Sequence, residues 1–292
     1  MRIHYFLRMW GKSTYQMAGS KTYPPPPMLT VDPMRSTRLK SAGYFAVALV
    51  IYSGSGGVIA ASCPQEEVFA SNWAGGIEDR LGQQKAMPEA ILAITRPTGG
   101  RSPALRFHIN RGDDFSRVAN GVPRAEISFS ELFHFSPGWV YRIEWEVYIP
   151  SNFTFDMAQA ESMLQIHQGQ GNGPPPFAIL LKGDDYMLEI RGGARAQKRA
   201  AFWLGSIWPD RGRWGKWSMT YRAEESGLHG GVSIWRAGKL FFEAEDIANS
   251  YPADRQAYLK IGIYKWAWKY SPSDIDDREL FYGPLSVTRC RE

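Results

Sequence analysis

Tyr258-Leu-Lys-Ile-Gly-Ile-Tyr264 alternates aliphatic residues with polar, aromatic or small ones over its whole length. In a β-strand, residues two apart share a face. Leu259, Ile261 and Ile263 therefore form an apolar row, and Tyr258, Lys260, Gly262 and Tyr264 form the row behind it. A helical period would scatter the three aliphatics around an axis, so the segment reads as a half-buried strand. Gly262 has a separate meaning, because glycine inside a strand weakens it and marks a bulge or a close approach to the backbone.

The same pattern recurs on either side. Met163-Leu-Gln-Ile-His167 places Gln165 and His167 opposite Leu164 and Ile166, and Arg124-Ala-Glu-Ile-Ser128 places Arg124, Glu126 and Ser128 opposite Ala125 and Ile127. Leu105 to Ile109, Tyr141 to Ile149, Phe177 to Leu181, Tyr186 to Arg191, Lys216 to Arg222, Val232 to Trp235, Leu240 to Ala244 and Leu280 to Thr288 read as further strands. Turn residues separate them, as in Lys182-Gly-Asp-Asp185 and Arg236-Ala-Gly-Lys239. Long amphipathic helices are missing from the pattern. Many short strands without helix-period segments between them predict an all-β chain, a jelly-roll sandwich of antiparallel sheets. If the three polar rows lie in one sheet, its outer face is a concave groove lined by Arg, Gln, His, Lys and two Tyr.

The chain has 292 residues, with 34 Lys+Arg against 29 Asp+Glu, a net charge of +5, 44% hydrophobic residues, 11 Trp and 2 Cys. That apolar share excludes a disordered chain, and two cysteines exclude a disulfide-dense scaffold. The charge is unevenly placed. Residues 34–62 have the order of a secretory signal: Arg35, Arg38 and Lys40, then the apolar run Tyr44 to Tyr52, then small residues up to Cys63. The run is too short for a membrane span, which needs about 20 apolar residues. Residues 1–33, interrupted by Pro24 to Pro27, read as an extension ahead of a start at Met34, and residues 63–292 as a single domain. A cut near residue 62 removes Arg2, Arg8, Lys12, Lys21, Arg35, Arg38 and Lys40 but only Asp32 among the acids. The remainder holds 27 basic and 28 acidic residues, a net charge of −1. The expected protein is thus a near-neutral secreted or periplasmic monomer. For Cys63 two readings stand: a disulfide to Cys290, or a lipid anchor directly after Ala-Ala-Ser.

The trio Arg124-Ala-Glu-Ile127, Gln165-Ile-His167 and Tyr258-Leu-Lys-Ile-Gly-Ile-Tyr264 resembles the β-jelly-roll polysaccharide lyases. That group includes alginate lyases with R-x-E-x-R, Q-I-H and Y-F-K-A-G-x-Y motifs, glucuronan lyases and the heparin lyase I-like enzymes. Trp214-Gly-Lys-Trp217, Gly230 to Lys239 and Leu280 to Val287 are similar to the central hairpins and closing strand of the heparin lyase I-like group. The resemblance covers roughly residues 100–290 and implies a concanavalin-like jelly roll. Two departures stand out: Ser128 replaces the second Arg of the alginate pattern, and Lys265-Trp-Ala-Trp268 follows the third motif.

The resemblance implies β-elimination at a uronic acid of an acidic polysaccharide, with no cofactor and no nucleic-acid partner; five scattered His and two Cys at opposite ends offer no metal site. Arg124 and Gln165 would neutralise the uronate carboxylate, with Glu126, Lys260 and Arg191 also at the substrate. His167 suits the base, and a tyrosine suits the acid. The alginate-type alignment selects Tyr258 and the heparin lyase-type alignment Tyr264; Tyr258 is taken as the acid, and Tyr264 stays in the site as catalyst or sugar-stacking wall. Trp203, Trp208, Trp214, Trp266 and Trp268 offer flat faces for pyranose rings. Arg191 to Arg199 reads as a basic loop, and Gln168 to Gly173 with Pro174 to Pro176 as a groove wall or lid. Two rivals remain: a glycoside hydrolase using Glu144 and Glu146, which share a strand face, and a non-catalytic, lectin-like sandwich.

Overall fold

The structure, a computed structural model, describes residues 63–100, 102–169, 173–194 and 198–291. The extension and signal read over 1–62 lie outside the described residues, as do Gln170 to Asn172 of the glycine-rich loop and Arg195 of the basic run.

The strands in chain order are β1 (Glu66–Ser71), β2 (Gly82–Gln84), β3 (Ile91–Ile94), β4 (Ala104–Asn110), β5 (Arg124–Ser128), β6 (Trp139–Ile149), β7 (Ala160–His167) and β8 (Phe177–Lys182). They continue as β9 (Asp185–Gly192), β10 (Lys198–Ser206), β11 (Arg213–Arg222), β12 (Gly230–Arg236), β13 (Lys239–Ile247), β14 (Tyr258–Tyr264) and β15 (Asp277–Arg291). Two antiparallel sheets result. The front sheet runs β10-β9-β8-β7-β14-β5-β2; the back sheet runs β13-β12-β11-β6-β15-β4-β3, with β1 added along β15. The predicted jelly-roll sandwich is what forms.

Alternation places one row of each strand between the sheets. Ile127, Leu164, Ile166, Leu188, Leu259, Ile261 and Ile263 from the front meet Phe107, Ile143, Trp145, Met219, Leu280 and Tyr282 from the back in one buried cluster. Truncating any of these to Ala costs about 2–5 kcal/mol, from lost transfer energy and the cavity left behind.

The basic run differs from expectation. Its ends are strand: Arg191 belongs to β9 and Lys198 and Arg199 open β10, paired to β9 through Arg199↔Arg191. Strand β10 is the edge of the front sheet, and Ala200, Phe202 and Leu204 meet the core behind its polar beginning.

Two irregularities shape the front sheet. Register slips by one residue at Ser162/Leu164 against β8 and at Ile261/Tyr264 between β14 and β7. Gly262 sits at the second slip with φ +131°, and a Cβ there would lie 2.2 Å from the Ala125 carbonyl oxygen. The close neighbour of this glycine is therefore another strand's backbone. The Tyr282 hydroxyl, on β15, reaches across the core to the carbonyls of Met163 (2.5 Å) and Gly262 (3.2 Å), the residues at the two slips.

Cys63 and Cys290 form a disulfide between segments 227 residues apart in sequence. It fastens the start of the described chain to the end of β15, beside the Glu66–Arg289 ion pair that joins β1 to β15. A sulfur in a disulfide cannot carry a thioether lipid, so the anchor reading of Cys63 gives way to the disulfide.

Candidate active site

The outward face of the front sheet can be read from its registers. Tyr258 on β14 lies opposite His167 on β7, Lys260 opposite both Gln165 on β7 and Ser128 on β5, and Tyr264 opposite both Ser162 on β7 and Arg124 on β5. The three motifs, separated by as much as 140 positions in sequence, thus become adjacent strands. Over them lies a cavity of about 380 Å³, whose wall includes Arg124, Gln165, His167, Tyr264, Arg191 and Trp266. Gly173, Pro174 and Pro175 close one side of it, as expected for the loop after His167. They are held by Gln168 Nε2 donating to the Gly173 carbonyl, Tyr251 Oη to that of Pro174, and Arg191 Nη1 to that of Pro175.

The centre of the site is not an exposed polar face. Glu126 and Lys260 are 2% and 1% exposed and lie beneath the cavity. Lys260 Nζ donates to Glu126 Oε2 at 2.6 Å and Arg124 Nη1 to the same oxygen at 3.2 Å, while Gln165 Nε2 donates to Oε1. Gln84, on the three-residue strand β2, accepts from Lys260 and Arg124 through Oε1 at 2.8 and 3.1 Å. This corrects the expectation that Glu126 and Lys260 contact substrate. Their charges face each other, because ions inside a protein need partners that replace water. Burial pulls the Lys260 ammonium below the usual lysine range, and Glu126 opposes that pull. Two cations and one carboxylate leave a net charge of +1, carried to the cavity by Arg124. Gln165 Oε1 is buried and has no partner among the described residues.

His167 Nδ1 lies 2.9 Å from the Gln168 carbonyl oxygen. A carbonyl only accepts, so Nδ1 carries the hydrogen and Nε2 keeps its lone pair. Burial lowers the His167 pKa below its ordinary value, with Lys260 and Arg124 adding to the effect, so the ring is neutral at neutral pH. Both tyrosines shift the other way: burial raises the Tyr258 phenol, assisted by Glu126, and burial raises the Tyr264 phenol despite Arg124. Both are therefore proton donors at neutral pH.

The two tyrosines occupy different places. Tyr258 packs its ring on His167 at 5.2 Å between centroids and is not part of the cavity wall. Tyr264 lines the cavity with Gln165 and His167; the Arg124 guanidinium sits 4.1 Å from its ring centre and Trp266 packs beside it. Tyr258 thus lies against the histidine and Tyr264 on the cavity wall.

Of the five tryptophans, Trp266 lines the cavity and Trp203 stands half-exposed on the groove face of β10, opposite Met187. Trp208 is exposed beside Arg211. Trp268 is buried, and Trp214 lies on the back sheet beneath Arg96, so neither faces the groove. Gln84, Ser162 and Glu189 were missed by sequence reasoning. Gln84 belongs to a strand too short to show a period, while Glu189 was readable two positions before Arg191.

A larger concavity, about 780 Å³, opens on the back sheet near Arg142, Glu144, Glu146 and Lys216. There Glu146 pairs with Arg96 and Lys216, and Glu144 with Arg142. The carboxylate pair of the hydrolase rival thus faces away from the groove, with both members engaged by cations.

The model of the family described as polysaccharide lyase matches residues 70–285. Among solved structures, the chain is similar to an endo-β-1,4-glucuronan lyase from the fungus Trichoderma reesei, with TM-score 0.61, 14% identity, and 76% of this chain and 95% of that one covered. It is also similar to alginate lyase A1-II′ of polysaccharide lyase family 7, with TM-score 0.50, 12% identity, and 70% and 86% covered. At these identities the likeness concerns the fold. No curated protein matches the sequence.

Proposed function

Because the chain belongs to the polysaccharide lyase family, we propose that it cleaves a uronic-acid-containing polysaccharide by β-elimination, leaving a 4,5-unsaturated uronate at the new end. Membership sets aside the non-catalytic, lectin-like alternative. The obstacle is the C5 proton, weakly acidic while the neighbouring carboxylate is ionised. Arg124, with the net positive charge of the site, and the second N–H of Gln165 take that carboxylate and stabilise the enolate that develops on it; one such donor is worth about 3–4 kcal/mol of barrier.

His167 Nε2 removes the C5 proton. The electron pair forms the C4=C5 double bond, the C4–O4 bond breaks, and the Tyr264 hydroxyl gives its proton to O4. Glu126 and Lys260 are positioning residues that fix Arg124 and Gln165 from below, and Tyr258 orients the His167 ring. One observation carries the reading: a histidine with its Nε2 lone pair free and a protonated tyrosine share one cavity with Arg124 and Gln165. The disulfide fits an oxidising compartment, which agrees with an exported enzyme of residues 63–292.

The test is to incubate the purified protein with glucuronan, alginate and heparin-type chains and follow ultraviolet absorbance of the conjugated double bond. New reducing ends without that absorbance would mean hydrolysis and overturn the proposal.

A further inference from the structure

The front sheet holds a second group built like the first. Glu189 on β9 pairs with Arg191 on its own strand through Oε2 and with Arg199 on β10 through Oε1 at 2.7 Å. As at Glu126, one carboxylate bridges two cations from neighbouring strands and the group keeps a net charge of +1. Burial alone would raise the Glu189 pKa, but Arg191 and Arg199 outweigh it and hold the carboxylate ionised. Glu189, Arg191 and Arg199 line the same cavity as Arg124, Gln165, His167 and Tyr264. The Arg199 side chain is 63% exposed, so its charge is open to a ligand.

The registers give the separation. From β7, which carries Gln165 and His167, β9 is two strands away and β10 three. At about 4.8 Å per strand these are roughly 10 and 14 Å. A 1,4-linked pyranose advances by nearly one strand spacing, about 5 Å, so a chain crossing the strands brings one sugar over each. The strand between, β8, presents Ala178 and Leu180 to the cavity, a low floor without charge.

Resting on the elimination reading above, we propose that Glu189, Arg191 and Arg199 form a distal carboxylate subsite, which binds the uronate two to three residues along the chain from the one undergoing elimination. The enzyme thereby selects contiguous polyuronates over chains whose uronates are isolated. Arg191, pinned by Glu189 and the Pro175 carbonyl, is the fixed member; Arg199 is the open one.

The experiment compares wild type with Arg199→Ala on polyuronate oligomers of increasing length, and on the same oligomers carboxyl-reduced except at the cleavage site. Arg199 is exposed, so its truncation leaves the fold intact. For oligomers long enough to span both groups, KM should rise roughly tenfold, in line with loss of a charged hydrogen bond, while kcat falls less than about twofold. Arg199→Lys should recover part of the loss. On carboxyl-reduced oligomers, and on those too short to span, the two proteins should have equal KM. An unchanged KM on the long polyuronate, or an equal rise on the reduced oligomer, would overturn the subsite. If wild type eliminates no polyuronate at all, the failure belongs to the function proposed above and not to this subsite.

Discussion

Replacing Glu126 by Gln separates a positioning role from a substrate contact. The amide keeps the shape and can still accept from Gln165, but it removes the counter-charge that Lys260 and Arg124 share. Both cations are buried and would have only Gln84 as a common acceptor. Breaking a buried ion pair by removing one partner costs about 3–5 kcal/mol. In a domain of this size each kcal/mol moves Tm by roughly 2–4 °C, so Glu126→Gln should melt roughly 6–20 °C lower. The loss should depend on pH in one direction. Burial holds the Lys260 pKa below its unfolded value, so the unfolded chain binds more protons and stability rises with pH between the folded and unfolded pKa. Without Glu126 that window opens at lower pH, and mildly alkaline buffer should recover stability in the variant more than in wild type. Adding Lys260→Met removes the stranded charge and should restore part of the Tm. The assay is thermal unfolding at several pH values, with lyase rates measured in parallel. Because Arg124 and Gln165 hold both the uronate and the enolate, a positioning role predicts a lower kcat together with a raised KM. A Glu126→Gln protein as stable as wild type, or a double variant less stable than the single one, would refute the reasoning.

Other outcomes follow from the site. His167→Ala and Tyr264→Phe should each lower kcat at least about 10²-fold in the absorbance assay, while Tyr258→Phe should have a smaller effect because it supports the His167 ring from outside the cavity. The acid limb of kcat/KM should fall below the ordinary histidine pKa of about 6.5, since the base stays deprotonated to lower pH, and the alkaline limb should lie above the ordinary tyrosine value of about 10. Cys63→Ser should destabilise the fold by up to about 5 kcal/mol, read by denaturant titration, because the disulfide closes a loop of 227 residues; equal destabilisation of the reduced wild type would confirm the source.

The strands with clean alternation were legible because both of their faces had a job. β14 coincides with Tyr258–Tyr264 and β5 begins at Arg124, as read from sequence. Strand β10 was hidden because Lys198-Arg199 resembles solvated loop chemistry, and only the pairing to β9 reveals it. Faces were legible, but burial was not. Alternation puts Lys260 and Glu126 on the outer side, yet it carries no information that the two strands place ammonium against carboxylate and so allow both to leave water. The choice between Tyr258 and Tyr264 was beyond the pattern as well, because both share a face and the cavity's position depends on the turn at Gly173 to Pro175.

Tyr282 also limits how such a protein can change. Its hydroxyl serves two irregular carbonyls of the front sheet from the opposite layer. A phenylalanine there would remove the one hydroxyl donor aimed at both, at about 1–3 kcal/mol. The outward residues of the groove, Arg199 or Trp203 for example, are free to drift toward new sugars one at a time. The spacing of the slips beneath them is not, since it is tied to a residue that never meets a substrate. Grafting this groove onto another sandwich would thus have to carry over a tyrosine from the back sheet along with the front sheet itself.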